Sequence, residues 1–382
     1  MLNKIIIHYS EIATKGGNRP FFEQKLVKSL KLSLDQYITK VYKRYGRIVA
    51  DLKPKQDFKK ISAILSTLPG IAYFSFGASS KLDIEDIKKL ALKLAEKEEF
   101  DSFKISARRS NKDFKINSDQ INIDAGALIA NTLNKKVKMK NPDVEVHIDV
   151  CEKEAFVYCQ KNKGVGGLPI GSGGKLVCSL SGGIDSPVSA FMMMKRGCKI
   201  VFVHFFNKTQ SSSPVKSKIE NLVKQLTKIQ LSSKLYIVPF DEIQKEIIKN
   251  VPSESRMIIY RRFMMKILNI IAENEHAKAV VTGDSLGQVA SQTVENLQCI
   301  HAASTIPVFS PLIGLNKEEI TTISKQIGTY ELSIEPYPDC CSFMIAKHPE
   351  TKGKKELIEK IEISPELCEK VFKASSVLRY SF

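Results

Sequence analysis

Apolar and polar residues alternate over residues 4–9, a period of two that predicts a strand. The pattern lapses over residues 10–19, and a period near 3.6 then runs over 20–34 and predicts a helix. On that helix Phe21, Leu26, Leu30 and Leu34 share one face, while Lys25, Lys28 and Lys31 lie largely on others. Strand patterns follow at 41–45 and 47–52, a helix at 57–65 and a strand at 70–75. A second helical period spans 83–95, carried by Ile84, Ile87, Leu90, Ala91 and Leu94. It is followed by a strand at 103–107, a helix at 122–132, and two alternating runs at 144–150 and 155–159 separated by a turn. Residues 164–175 are dense in glycine, which marks a linker or a mobile loop.

Beyond that stretch the strands become continuously apolar, at 176–180, 199–205, 234–238 and 279–282. They alternate with helical patterns at 187–196, 216–230, 255–273 and 317–327. Such alternation implies an α/β domain with a doubly wound, mostly parallel sheet, in which ligands bind beyond the carboxyl ends of strands. Ser-Gly-Gly-Ile-Asp-Ser, residues 181–186, lies just past the first of these strands, where a helix begins. Gly182 and Gly183 let backbone amides approach an anion, Ser181 and Ser186 offer hydroxyls, and the helix start adds unpaired donors. Asp185 is repulsive beside phosphate unless Mg²⁺ bridges the two or backbone amides hold the side chain. No Gly-x-x-x-x-Gly-Lys-Ser/Thr loop is present, which disfavours the usual kinase and GTPase architectures.

Composition narrows the picture. At 382 residues and 43% hydrophobic content the chain has room for two or three domains with real cores. It carries no run of about 18 apolar residues and no secretory leader pattern, so no membrane association and a cytoplasmic location are expected. The eight cysteines are irregularly spaced and form no Cys-x-x-Cys, which points to reduced thiols and to no zinc or iron-sulfur cluster. The net charge is +17, and residues 1–60 hold 14 Lys and Arg against five Asp and Glu, so a polyanionic partner is the natural inference. Lys104, Arg108, Arg109 and Lys112 cluster near a strand end and loop, with Lys135, Lys136, Lys138 and Lys140 close behind in sequence, and are candidates to track a nucleic-acid backbone.

Ser-Gly-Gly-x-Asp-Ser after the first strand of an α/β domain resembles the PP-loop of the ATP pyrophosphatases, which cleave ATP between the α and β phosphates and activate an oxygen with AMP. Four further motifs narrow the likeness: Ser10-Glu-Ile-Ala-Thr-Lys-Gly-Gly-Asn-Arg-Pro20, Lys140-Asn-Pro-Asp143, Gly166-Gly-Leu-Pro169 and Gly283-Asp-Ser-Leu-Gly-Gln-Val-Ala-Ser-Gln-Thr293. Together they are similar to the tRNA 4-thiouridine synthase family, from the first strand nearly to the C-terminus.

That resemblance implies a ferredoxin-like α+β domain (1–60), a THUMP RNA-binding domain (61–165), a glycine-rich linker (166–174) and a PP-loop catalytic domain (175–382). It implies ATP with nucleotide-bound Mg²⁺, tRNA as partner, and replacement of O4 of the uridine at position 8 by sulfur. Family ATP contacts fall on Ser179, Leu180, His204, Phe205, Arg261, Gly283 and Gln292, beside the Ser181 to Ser186 loop. A sulfur-handling cysteine falls on Pro338-Asp-Cys-Cys-Ser342, where Cys341 is favoured over Cys340; adjacent cysteines are poorly placed to bond to each other. Only 41 residues follow Cys341, too few for a rhodanese domain, so sulfur is expected from a separate cysteine desulfurase or another persulfide donor. A homodimer and a role with a thiamine-pathway sulfur carrier protein are also implied. The competing readings are another PP-loop thiolase or ligase, a THUMP protein attached to a methyltransferase, and a THUMP RNA-binding protein without catalysis.

Overall fold

A computed structural model describes residues 2–207, 213–336, 346–361 and 365–382. They form two compact units, Met1–Pro169 and Ile170–Phe382.

The first unit is built on one nine-stranded sheet. Its strands are β1 (Lys4–His8), β2 (Ile38–Arg44), β3 (Arg47–Leu52), β4 (Ile71–Ser80), β5 (Ser102–Arg109), β6 (Lys136–Val137), β7 (Val144–Val150), β8 (Ala155–Tyr158) and β9 (Asn162–Gly166). Their order is β2-β3-β1-β4-β8-β7-β5-β6, with β9 also paired to β4. Helices α1 (Arg19–Ser33) and α2 (Phe58–Thr67) accompany the first strands, and α3 (Ile84–Ala95) and α4 (Ser118–Leu133) the later ones. Asp57, Asp83 and Asn117 each accept hydrogen bonds from first-turn amides of α2, α3 and α4, which fixes where those helices begin.

Two apolar cores follow from the strand alternation. Ile5, Ile7, Leu26, Leu30, Ile61 and Phe74 form one; Ile87, Ile105, Ile129, Val146 and Val157 belong to the other. Phe21 departs from the periodicity reading: it is half exposed, and Phe22 packs against the core in its place. Strand β4 runs five residues past the pattern that predicts it, because Ser75, Gly77, Ser79 and Ser80 break the apolar alternation. Its first part pairs with β1 and β9 and its last part with β8, so it belongs to both halves of the sheet. At Gly77 any Cβ would run into the Val157 carbonyl, and at Gly164 into the Ile71 carbonyl. The glycine-dense stretch thus begins as strand β9, where close backbone approach and not mobility is the use of glycine.

On the sheet face that carries Ile6, Val49, Phe156 and Tyr158, polar groups are buried among rings. Asp149 on β7 accepts from Tyr158 Oη at 3.1 Å and pairs with Arg47 of β3. His8 stacks on Tyr73 at 4.3 Å, and His147 on Tyr158 at 5.0 Å. Burial first, and the nearby Arg47 charge second, push the His8 pKa from 6.5 down to about 3. Between those two values the unfolded chain takes up a proton that folded His8 refuses, so folding is favoured above pH 6.5 and opposed as the pH falls toward 3. Acidification from pH 6.5 to 4 should therefore lower stability by up to roughly 1.4 kcal/mol per pH unit through His8 alone. Urea titrations at a series of pH values check this, and His8→Gln should flatten the slope.

The second unit carries a six-stranded sheet of β10 (Lys175–Ser179), β11 (Lys199–Phe206), β12 (Ser232–Pro239), β13 (Val280–Val281), β14 (Val308–Phe309) and β15 (Ser376–Ser381). The order is β14-β13-β10-β11-β12-β15, parallel throughout except where β15 closes the edge antiparallel to β12. Val177 of β10 sits beside Val201 of β11 on one side and Val280 of β13 on the other. The helices are α5 (Asp185–Lys195), α6 (Ser213–Gln230), α7 (Asp241–Asn250), α8 (Arg256–Asn274), α9 (Val294–His301), α10 (Lys317–Gln326), α11 (Tyr330–Ile334), α12 (Lys355–Glu359) and α13 (Pro365–Lys373). Helix α8 buries Ile258, Ile259, Phe263, Ile267, Leu268 and Ile271 in the core. Among the described residues no helix is long and apolar enough to cross a membrane.

Candidate nucleotide site

From β10 the chain moves to β11 and β12 on one side, then returns to β13 and β14 on the other, which makes the gap between β10 and β13 a topological switch point. Loops diverge there and leave a crevice at the carboxyl ends of the strands. The Ser181 to Ser186 loop leaves β10 into that crevice, and Gly283 follows β13 into it.

The loop is tied by its own serines. Ser186 Oγ accepts from the Ser181 amide at 2.9 Å and lies 3.1 Å from Ser181 Oγ, which in turn accepts from the Gly183 amide at 3.3 Å. Ser186 thus spends its hydroxyl on shaping the loop. Helix α5 opens with Ile184 at the N-cap position and no side chain capping it, so its first amides and the positive end of its dipole are left for an anion. Gly283 packs on that first turn: a Cβ there would lie 2.9 Å from Ser186 N and 3.0 Å from its Cα. Glycine is required for β13 to approach so closely.

A cleft of about 390 Å³ opens at this point. It lies within the size range of small-molecule sites. Ser179, Ser181, Asp185, Ser186, Arg261, Gly283 and Gln292 line it together, joined by Asp284 and Glu350 and by an apolar end of Met257, Ile258, Met264 and Leu268. Leu180, Gly182, Gly183, His204 and Phe205 do not line it. The buried His204 ring holds Nδ1 2.9 Å from the Leu180 carbonyl, and the Leu180 amide donates to Val203, so these residues brace the root of the loop. Phe205 lies in the core edge-on to Phe240.

Two ion pairs set the electrostatics. Arg261 donates to Asp284 Oδ1 at 2.6 Å and to the Ser291 carbonyl at 3.3 Å, while Gln292 donates to the same Asp284 oxygen at 3.2 Å. Burial alone would raise the Asp284 pKa, but the Arg261 guanidinium holds the carboxyl well below the usual carboxylate range. Asp185 is held by an ammonium and a side-chain amide. Lys317 Nζ lies 2.8 Å from its Oδ1, and Gln288 Nε2 donates to Oδ2 at 3.0 Å.

Asp284 and Gln288 sit within the Gly283 to Thr293 motif but carry no role in the sequence reading, and Lys317 reads there only as the start of a helix. No spacing rule brings residue 317 to residue 185; the fold does. Cys340 and Cys341 lie outside the described residues. Among the described residues no group of three or more His, Cys, Asp and Glu side chains could hold a metal ion.

The basic candidates in the first unit divide. Lys112 and Arg108 are exposed, at and beyond the end of β5. Lys104 pairs with Glu145 at 3.2 Å. Arg109 donates to the carbonyls of Phe114 and Ile116, which makes it a pin for its own loop.

A parallel sheet with a glycine-serine loop at its switch point, facing an arginine and a second glycine across a cleft, defines a nucleotide-binding α/β domain of the PP-loop class. The chain matches the family described as thiamine biosynthesis protein (ThiI) over residues 171–367, the ThiI ferredoxin-like domain over 4–75 and the THUMP domain over 81–160. It is 42% identical over 364 residues to a probable tRNA sulfurtransferase of Caldanaerobacter subterraneus, covering 95% of each chain. It is 39% identical over 363 residues to that of Bacillus subtilis, covering 94% of this chain and 90% of the other. A crystal structure of a 4-thiouridine synthetase–RNA complex with bound ATP superposes with a TM-score of 0.90 at 35% identity, over 100% of both chains. The chain belongs to the ThiI family.

The Arg261–Asp284 pair makes a stability prediction. Asp284→Asn should cost up to about 3 kcal/mol, because the guanidinium loses its counter-charge in a poorly solvated wall. Adding Arg261→Gln should return part of that loss, and urea titrations of the two single variants and the double variant measure the coupling.

Proposed function

We propose that this chain is an ATP-dependent tRNA sulfurtransferase that converts the uridine at tRNA position 8 to 4-thiouridine, releasing AMP and pyrophosphate. The tRNA sulfurtransferase activity follows from family membership and from relatives near 40% identity along almost the whole chain. The observation that carries the nucleotide half is the uncapped start of α5 beneath the Ser181 to Ser186 loop, faced by Arg261 and Gln292 and closed by Gly283.

In this reading the loop amides and the α5 terminus receive the pyrophosphate, and Arg261 offsets negative charge that builds as the phosphate is transferred. Asp185 is the carboxylate that would hold nucleotide-borne Mg²⁺, which when bound neutralises phosphate charge. Adenylation of O4 turns a poor leaving oxygen into AMP; the terminal persulfide sulfur then bonds to C4 as the C–O bond to AMP breaks, and a second thiol cleaves the remaining S–S bond, forming a disulfide and freeing 4-thiouridine. Cys341 is assigned to carry that sulfur, with Cys340 as its neighbour. Lys104, Arg108 and Lys112 are assigned to the tRNA backbone, with Arg109 supporting the loop that carries Lys112. The sulfur comes from a cysteine desulfurase or another persulfide donor, the protein works as a homodimer in the cytoplasm, and a thiamine-pathway sulfur carrier is a second recipient.

Incubation with unmodified tRNA, MgATP and a sulfide source, followed by nucleoside mass spectrometry, tests the reading. Sulfur should replace oxygen at position 8 with AMP release; modification of another nucleotide, or methylation, would sink it. Asp185→Asn should lower the rate of AMP formation by about 10²–10³-fold, the scale on which removing one charge-stabilising group acts. Cys341→Ser should abolish persulfide-dependent turnover while tRNA binding persists. Loss of turnover in Cys340→Ser alone would reassign the sulfur-bearing cysteine.

A further inference from the structure

Asn296, in the first turn of α9, is fully buried and polar. Its amide group joins three stretches of chain. Nδ2 donates to the Ala290 carbonyl and to the Glu350 carbonyl, both at 2.8 Å, and Oδ1 accepts from the Gly353 amide at 3.0 Å. Carbonyls face the nitrogen and an N–H faces the oxygen, so both donors and one acceptor site are satisfied in a single orientation. Thr293 adds a parallel hold: its hydroxyl caps α9 through the Asn296 amide and donates to the Thr351 carbonyl at 2.8 Å. A Cβ at Gly353 would lie 2.9 Å from Asn296 Oδ1 and 2.9 Å from Ile258 Cδ1, so a larger residue there would press on both side chains.

The places joined are the functional ones. Ala290, Ser291 and Gln292 form one wall of the nucleotide cleft, and Pro349 and Glu350 form another. In sequence, Glu350 lies nine residues after Cys341. Before the cysteines, Lys218 donates to the Ser333 carbonyl at 2.9 Å and the Glu335 carbonyl at 2.6 Å. The chain is therefore fastened on both sides of the cysteine pair, and on the downstream side the fastening is shared with the turn that carries Gln292.

We propose that Asn296 is a positioning residue of the sulfur-transfer reaction: it locks the Gln292 turn and the Glu350–Gly353 segment into one cleft wall. That lock ties the nucleotide cleft to the segment that follows the cysteines in sequence. The inference rests on the sulfurtransferase reading above. Reacting groups held in near-attack geometry are sensitive to displacements of about 1 Å, so loosening this wall should harm sulfur capture more than adenylation.

The test uses the full chain with unmodified tRNA and MgATP, and measures AMP and 4-thiouridine in the same samples. One series takes sulfur from a cysteine desulfurase with cysteine, and the other from millimolar sodium sulfide. In Asn296→Ala and Asn296→Asp, adenylate that sulfur does not capture is hydrolysed by water back to uridine and AMP, so the ratio of AMP to 4-thiouridine should rise about tenfold with the desulfurase, yet stay near the wild-type value with sulfide, which needs no positioned cysteine. Thr293→Val, which leaves the buried amide in place, should shift the ratio in the same direction by a smaller factor and keeps the test open if the Asn296 variants fail to fold. An unchanged ratio in the variants that fold, or an equal loss with both sulfur sources, overturns the positioning role. Wild-type protein that forms no 4-thiouridine with either source overturns the sulfurtransferase reading itself, a result distinguishable from the other two.

Discussion

The catalytic unit depends on one close contact, the approach of Gly283 to the backbone at Ser186. It brings the end of β13 against the first turn of α5 at the place where the sheet reverses direction. Parallel β10 and β13 can support a ligand between their carboxyl ends only if neither loop fills the crevice. The missing side chain at Gly283 lets the two segments meet, and Ser189 on α5 fastens the contact by donating to the Thr282 carbonyl at 2.5 Å. Asp284, the residue after Gly283, in turn reaches Arg261 of α8.

Charge in that cleft is balanced locally, before any ligand arrives. Asp284 is one of the few carboxylates buried almost completely, and it is tolerable because Arg261 and Gln292 point at the same oxygen. The result is an arginine held in a fixed place with hydrogen-bonding capacity left over, which costs less to use than one recruited from solvent. Asp185 is treated more loosely: Lys317 and Gln288 hold it near the surface, where water keeps the pair weak. Partners that are weakly held are readily exchanged.

The first unit follows a different logic. Its sheet is continuous because β4 serves two sets of neighbours, and the cost is a layer of histidine, tyrosine, arginine and aspartate buried among rings. Such a layer is stable only when every charge has a counter-charge, which is why Arg47 on β3 faces Asp149 on β7. Of the basic residues near the end of β5, Arg109 is committed to carbonyls of its own loop and Lys104 pairs with Glu145, while Arg108 and Lys112 are exposed.

Local chemistry made much of this legible in the chain itself. Period-two and period-3.6 patterns located most strands and helices, and the glycine-serine motif located the anion site, because backbone freedom and helix-end polarity are properties of adjacent residues. The longer motifs carried the family, and with it Arg261 and Gln292. Tertiary structure decided what depends on distance through space. Phe22 and not Phe21 faces the core, since a helix can rotate within a broad apolar face. Serines and a glycine hid the second half of β4, whose partners lie on distant strands. Lys317 meets Asp185, Asp284 anchors Arg261, and Asn296 ties residue 290 to residues 350 and 353, contacts that no periodicity encodes because only the packed sheet brings those segments together.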